Sequence, residues 1–383
     1  MDRRPNNTLA FCLYRYFPYG GLQRDMLRIA LACQQRGYRI VVYTTAWEGD
    51  VPPGFELHLH RPGGLTNHGR MRRYHRWLTE QLAHQPVACV VGFNKMPGLD
   101  VYYAADGCLK AQAIEERGWF YRCLPRYRQY QTFEEAVFGS ESRTQILMIS
   151  RMQESLYRQH YGTHGSRIHF VPPNVAGDRL AGAESDGIRW DLRQALGVGP
   201  DERFVLQLGS DFRRKGLDRS IVALSHLPDA LLTKTRLYVV GRDREGPYAR
   251  MAKRLGVAGR VVFLGARDDV PRILLGADLL VHPAYHENTG TVLVEALASG
   301  LPVIATGVCG YAHYIEDADA GWVIPEPFEQ NRFNHTLQAA LERADLREVG
   351  RRGVRFAREE DLYGMVDAAV KTIEKVASTD ARR

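Results

Sequence analysis

His282-Pro283-Ala284-Tyr285-His286-Glu287-Asn288-Thr289-Gly290-Thr291-Val292-Leu293-Val294-Glu295 is the stretch that decides how the rest of the chain is read. It follows an apolar run at 277–281 that reads as a strand ending at Pro283. Residues 290–299 then read as a helix, closed by Gly300 and followed by Pro302. Within that helix Glu295 stands alone among Val292, Leu293, Val294, Ala296, Leu297 and Ala298. A helix apolar on every side is buried, and a buried carboxylate needs donors to offset its desolvation. Glu287 sits just before the helix, beside the backbone N–H groups of Asn288, Thr289, Gly290 and Thr291. Free N–H groups and the helix dipole together form a site for an anion such as a phosphate. The competing reading is two unrelated acids, one solvated and one salt-bridged in the core.

Working outward, strand-like and helix-like patterns alternate along almost the whole chain. Strands are expected at 9–14, 39–44, 55–60, 87–92, 101–105, 145–150 and 168–171, with a helix at 23–35 after a Gly20-Gly21 turn. Pro172-Pro173 ends this series, and residues 174–187, rich in Gly, Ala, Asp and Glu, read as a linker. A second series follows at 204–208, 236–240, 260–264, 279–281, 302–305 and 322–324. Strands separated by helix-length segments imply crossover units and largely parallel sheets. The expected fold class is therefore α/β, with two Rossmann-like domains whose ligands bind at the carboxyl ends of the strands, in the cleft between them. The expected boundaries are 1–173, 174–358 and a C-terminal helix at 359–383 that returns to the N-terminal domain.

A chain of 383 residues exceeds one ordinary core, which agrees with two domains. The net charge of +7 favours an anionic partner: nucleic acid, an acidic membrane surface or a phosphorylated substrate. Cys12, Cys33, Cys89, Cys108, Cys123 and Cys309 show no metal-ligand spacing, and most lie in apolar runs, which suits buried free thiols in a reducing compartment. Residues 1–8 lack the apolar core of a secretion signal, and no apolar run has the length of a membrane span. The expectation is a cytoplasmic protein.

Four further features carry chemistry. Gly209-Ser210-Asp211-Phe212-Arg213-Arg214-Lys215-Gly216 lies between a strand and a helix, where Arg214 and Lys215 suit a diphosphate; an exposed basic loop is the alternative. Tyr19-Gly20-Gly21 allows close backbone approach to a phosphate, or is simply a positive-φ turn. Asp106 follows a strand and precedes Gly107, at the cleft edge or as a helix cap. In residues 117–128, Arg117, Arg122, Arg126 and Arg128 interleave with Trp119, Phe120, Tyr121 and Tyr127, a pattern suited to an anionic membrane interface, or a solvated basic loop. Metal signals are poor. Asp317-Ala318-Asp319 reads as a turn, and His282, His286 and His313 form no ligand set.

Taken together, the chain resembles the retaining GT-B glycosyltransferases of family 4, and within them the enzymes that add a hexose to the inner-core heptose of lipopolysaccharide. The family's paired glutamates match Glu287 and Glu295, and its basic pair matches Arg214 and Lys215. Longer strings carry the resemblance across the chain: 11–25, 92–101 and Val308-Cys309-Gly310-Tyr311-Ala312-His313-Tyr314-Ile315. The resemblance implies that Arg214 and Lys215 hold the donor diphosphate, that Glu295 binds the ribose and that Glu287 contacts the transferred sugar. It places Arg267 where backbone reads the uracil, Gly20 and Gly21 over the diphosphate, and Asp106 as a carboxylate required for activity. Asn288, Thr289 and Gly290 replace the small apolar residues of relatives, which leaves glucose and a galactosamine-type sugar as candidate donors. The implied reaction is transfer from a UDP-sugar, most simply UDP-glucose in an α-1,3 linkage, with no cofactor, no metal and no nucleic acid. The implied place is the inner face of the inner membrane, as a peripheral protein. The competing enzyme class is a UDP-N-acetylhexosamine 2-epimerase-like protein; a membrane- or nucleic-acid-binding module without activity is more distant.

Overall fold

Apolar runs with few polar interruptions form strands covered on both faces, which is how parallel sheets are built. In the computed structural model, which describes residues 7–18, 20–115 and 117–380, these runs give thirteen named strands in two all-parallel sheets. Tyr19 and residues 381–383 lie outside the described residues.

The first compact unit comprises residues 1–172 and 364–383, and the second residues 173–363. The first holds β1 (Thr8–Cys12), β2 (Arg39–Thr44), β3 (Phe55–Leu59), β4 (Cys89–Gly92), β5 (Val101–Ala104), β6 (Gln145–Met148) and β7 (Ile168–Phe170), in the order β3-β2-β1-β4-β5-β6-β7. Side chains alternate between two cores. Leu9, Phe11, Ile40 and Val42 enter one, while Ala10, Cys12, Val41 and Tyr43 enter the other. The helix Met365–Asp380 places Met365, Ala369, Val370, Ile373 and Ala377 in the first of these cores, a stripe of helical period. Arg36 fastens the same helix through Asp367 at 2.7 Å and Glu374 at 2.9 Å.

The second unit holds β8 (Arg203–Leu208), β9 (Thr235–Val240), β10 (Val261–Gly265), β11 (Leu279–His282), β12 (Val303–Thr306) and β13 (Gly321–Ile324), in the order β10-β9-β8-β11-β12-β13. In each sheet the order reverses between its first strand and its fourth, at β1/β4 and β8/β11. Loops diverge there, and that divergence opens a crevice at the carboxyl ends of the strands.

Two sequence expectations are refined. The segment 174–187 is not a bare linker: it carries the 3-10 turn Gly177–Arg179 and the start of the helix Ser185–Ala195, and Ala181 N donates to Ala298 O at 2.8 Å. Gly20 and Gly21 form no positive-φ turn. Gly20 is the N-cap, at φ −82°, of the helix Gly21–Gln35, so these glycines sit at a helix N-terminus.

Candidate active site

The loops after β8 and β11 build the cluster in the second unit. Residues 209–216 leave β8 and return to the helix Leu217–Ser225 through Gly216, whose φ is +70°. A Cβ on Gly216 would meet Pro283 O at 2.0 Å. Only glycine therefore lets the two loops pass this closely. Tyr285 N donates to Arg214 O at 2.8 Å, and Gln207 Nε2 donates to Lys215 O at 3.0 Å, so the backbone of both basic residues is fixed.

Their side chains converge on Glu287. Arg214 Nη1 lies 2.8 Å from Glu287 Oε2, and Lys215 Nζ is hydrogen-bonded to the same oxygen. His282, wholly buried at the end of β11, places Nε2 3.5 Å from that oxygen. Burial alone would raise the Glu287 pKa, but His282, Lys215 and Arg214 outweigh it and hold the carboxyl well below the usual glutamate range. Burial dominates at His282 and pushes its pKa down, so the ring is neutral at pH 7. A carboxylate thus occupies the centre of a cationic pocket in the free protein.

The helix that follows is Thr291–Ala298, with Gly290 at φ +87° as its N-cap. Among the described residues no side chain caps it by a hydrogen bond, which leaves the end of its dipole to a ligand. The chain before it is held from the other side: Gly310 N donates to Glu287 O at 3.1 Å and Tyr311 N to Thr289 O at 2.8 Å. These two bonds tie the string 308–315 to the loop that carries Glu287.

The two glutamates differ from the sequence reading. Glu287 is the more buried and ion-paired of the two, its side chain 10% exposed, against 20% for Glu295. Glu295 faces Arg179, whose Nε lies 3.4 Å away, and Ser299 Oγ ties Arg179 O down at 2.9 Å. Arg179 lies in the segment read as a linker, so composition pointed away from it. Arg267 stands apart from this cluster, just beyond β10, forked onto Asp269 through two bonds of 2.8 Å. Asp319 takes a turn conformation at φ +45° and pairs with Arg352; His313 Nδ1 lies 3.1 Å from Gly310 O.

In the first unit Asp106 is exposed in the loop between β5 and the helix Leu109–Glu115. The capping role left open for it belongs to another residue. Glu134 accepts from Leu109 N at 2.9 Å and Lys110 N at 3.1 Å, and it also binds Lys95 Nζ at 2.5 Å. Sequence reading missed Glu134 and Lys95. The available signal was a charged residue on the stripe Tyr127, Glu134, Val137 and Phe138, which is buried.

The aromatic-basic segment is two helices, Trp119–Cys123 and Pro125–Phe138. Trp119 and Phe120 are 61% and 68% exposed and stack on each other at 3.7 Å, and Arg117, Arg122, Arg126 and Arg128 are exposed as well. Tyr127 corrects the expectation: it is buried, with its ring 5.5 Å from Tyr121, because its position falls on the inner stripe of the second helix. Among the described residues no helix is long and apolar enough to cross a membrane.

Comparison with known proteins agrees with this geometry. The family model "Glycosyl transferases group 1" matches residues 188–353, which hold every member of the Glu287 cluster. The solved structure of Anabaena Alr3699/HepE in complex with UDP-glucose shares the fold, with a TM-score of 0.72 at 17% identity over 97% of this chain and 99% of that one. The crystal structure of WaaG, a glycosyltransferase involved in lipopolysaccharide biosynthesis, matches with a TM-score of 0.88 at 45% identity, covering 95% of this chain and 99% of that one. The lipopolysaccharide glucosyltransferase WaaG of Escherichia coli (strain K12) is 45% identical over 95% of this chain and 98% of its own length. A full-length match at that identity, on two parallel sheets of this topology, makes the chain a glycosyltransferase of the GT-B fold and a member of the family of that lipopolysaccharide glucosyltransferase.

Proposed function

We propose that the chain transfers a hexose, most simply glucose from UDP-glucose, with retention and in an α-1,3 linkage, onto the inner-core heptose of lipopolysaccharide. The observation that carries this reading is the meeting of Arg214 and Lys215 on Glu287 beside the N-terminus of the helix Thr291–Ala298. Breaking the bond between the anomeric carbon and the diphosphate oxygen leaves positive charge on the sugar and negative charge on the diphosphate. In this reading Arg214, Lys215 and the helix N–H groups take the diphosphate, and no metal is required for that role. Gly20 and Gly21 stand at a helix N-terminus of the first unit, whose N–H groups suit a phosphate. Glu287, relieved of its cations, accepts hydroxyls of the sugar, while Glu295, steadied by Arg179, accepts those of the ribose. Arg267 marks the base end.

The attacking acceptor hydroxyl loses its proton to the departing phosphate oxygen on the same face of the sugar, a route that needs no enzyme nucleophile. Asp106 is assigned to the acceptor. The exposed pair Trp119 and Phe120, in one segment with the exposed Arg117, Arg122, Arg126 and Arg128, suits the anionic headgroups among which a lipid acceptor lies. The protein is then peripheral on the cytoplasmic face of the inner membrane.

The test is purified protein with UDP-glucose or a UDP-galactosamine-type donor and a heptose-terminated lipopolysaccharide acceptor, with and without EDTA. The expected result is a single added glucose by mass spectrometry, undiminished by EDTA. Epimerised nucleotide sugar formed without acceptor would replace this reading with the 2-epimerase one.

A further inference from the structure

The loop that carries Asp106 is held in an unusual way. Five consecutive residues, Asp106 to Lys110, each have a backbone group bound by a side chain from elsewhere in the first unit. Tyr157 Oη donates to Asp106 O at 2.9 Å, Lys95 Nζ donates to Gly107 O at 2.7 Å, and Cys108 N donates to Gln153 Oε1 at 2.8 Å. Leu109 N and Lys110 N donate to the two oxygens of Glu134. These four side chains come from three places: the loop after β4, the helix Pro125–Phe138 and the helix Arg151–Tyr161.

The centre of the device is a wholly buried carboxylate. Glu134 Oε1 takes Lys95 and Leu109 N; its Oε2 takes Lys110 N and Tyr161 Oη, the last at 2.5 Å. Four donors fill the acceptor capacity of an ionised carboxylate. Glu134, foremost among the groups facing Lys95, outweighs its burial and keeps that ammonium above the usual lysine range. The ring of Tyr157 is stacked on Phe138 with centroids 3.5 Å apart, so its hydroxyl has one place to point. A single Asp or Ser cap would satisfy the two amides at the start of Leu109–Glu115. A buried ion pair with every oxygen filled, added to two further side chains on the preceding peptides, is far more than a helix end requires, and it rigidifies the backbone on which Asp106, the exposed member of the run, stands.

We propose that Lys95, Glu134, Gln153 and Tyr157 are positioning residues that fix the Asp106 carboxylate for the acceptor. This rests on the reading of Asp106 as an acceptor-side group. Holding a carboxylate to within a fraction of an ångström is what separates an assembled site from one merely present.

The test uses Tyr157→Phe, which keeps the stacked ring and removes only the hydroxyl, and Lys95→Met, each alone and combined with Asp106→Asn in the full-length protein. Read out are kcat, the KM of the acceptor, UDP affinity by calorimetry, melting temperature and amide hydrogen exchange at residues 107–110. The expected result for Tyr157→Phe is a fall of roughly tenfold in kcat, faster exchange at 107–110 and UDP affinity unchanged within about twofold. In the Asp106→Asn background the residual transfer does not fall further. Full kcat in both single variants, or the same fold-loss in the Asp106→Asn background, overturns the positioning role. Parent-like transfer by Asp106→Asn alone instead refutes the assignment of Asp106, and the proposal loses its object by that separate route.

Discussion

Arg214 and Glu287 lie 73 positions apart in the chain and meet at 2.8 Å across the point where the strand order of the second sheet reverses. Lys215 ends on the same carboxylate oxygen. In the free protein this carboxylate neutralises the cations proposed to take the donor diphosphate. On the proposed reading, donor binding is an exchange of partners, in which phosphate oxygens replace Glu287 and Glu287 becomes available to sugar hydroxyls.

Removing one cation from this exchange exposes its worth. Lys215→Ala should weaken transition-state stabilisation by about 2–4 kcal/mol, a loss of roughly 30- to 1000-fold in kcat/KM. Steady-state rates beside a melting curve measure it. Parent-like turnover in a folded Lys215→Ala protein removes Lys215 from the chemistry.

Glu295 should separate from Asp106 in kinetics. Glu295→Gln weakens UDP affinity, since a ribose contact persists from ground state to transition state, and it raises KM more than it lowers kcat. Asp106→Asn lowers kcat and leaves UDP affinity in place. Calorimetry with UDP on both variants decides; the opposite pattern means the two carboxylates have been given each other's roles.

Much of this was legible locally. The stretch from His282 to Glu295 announced a strand, a loop and a helix, because apolar period and the Gly300–Pro302 punctuation are properties of neighbouring residues. The basic loop was legible for the same reason. What was not legible depended on partners distant in sequence. Glu134 and Lys95 are 39 positions apart, and Arg179 and Glu295 are 116 apart, so no local spacing announces either pair. The burial order of the two glutamates followed from the same cause. A uniformly apolar helix hid Glu295 on paper, yet the loop residue Glu287 is drawn deeper by three neighbours of positive or neutral hydrogen-bonding character. Tyr127 looked interfacial from composition, while its place on the inner stripe of its helix buries it.

His282 gives a pH signature in stability. Its folded pKa lies below the ordinary histidine value of about 6.5, so below that pH the unfolded chain binds a proton that the folded one refuses. Stability should be fully present above about pH 6.5 and fall by up to about 1.4 kcal/mol per pH unit beneath it from this group alone. Denaturant melts at pH 7.5, 6.5 and 5.5, compared with those of His282→Asn, isolate the contribution. An unchanged slope in the variant shows that His282 is not buried neutral.

Membrane association should follow charge. Each arginine near an anionic leaflet contributes about 1 kcal/mol, so Arg117, Arg122, Arg126 and Arg128 should together hold the protein reversibly, with Trp119 and Phe120 expected to add interfacial burial. Replacing the four by Gln should release the protein from anionic vesicles, as salt should, while UDP binding is kept. Sedimentation of the quadruple variant equal to that of the parent leaves the segment a solvated basic loop.

The most direct measurement is transfer itself: mass spectrometry of a heptose-terminated lipopolysaccharide acceptor after incubation with the purified protein and UDP-glucose. One added hexose, formed roughly 30- to 1000-fold more slowly with Lys215→Ala, is the predicted result. Donor bound and acceptor unmodified, with UDP-glucose and with galactosamine-type donors alike, would contradict the assignment of this chain to inner-core hexose transfer.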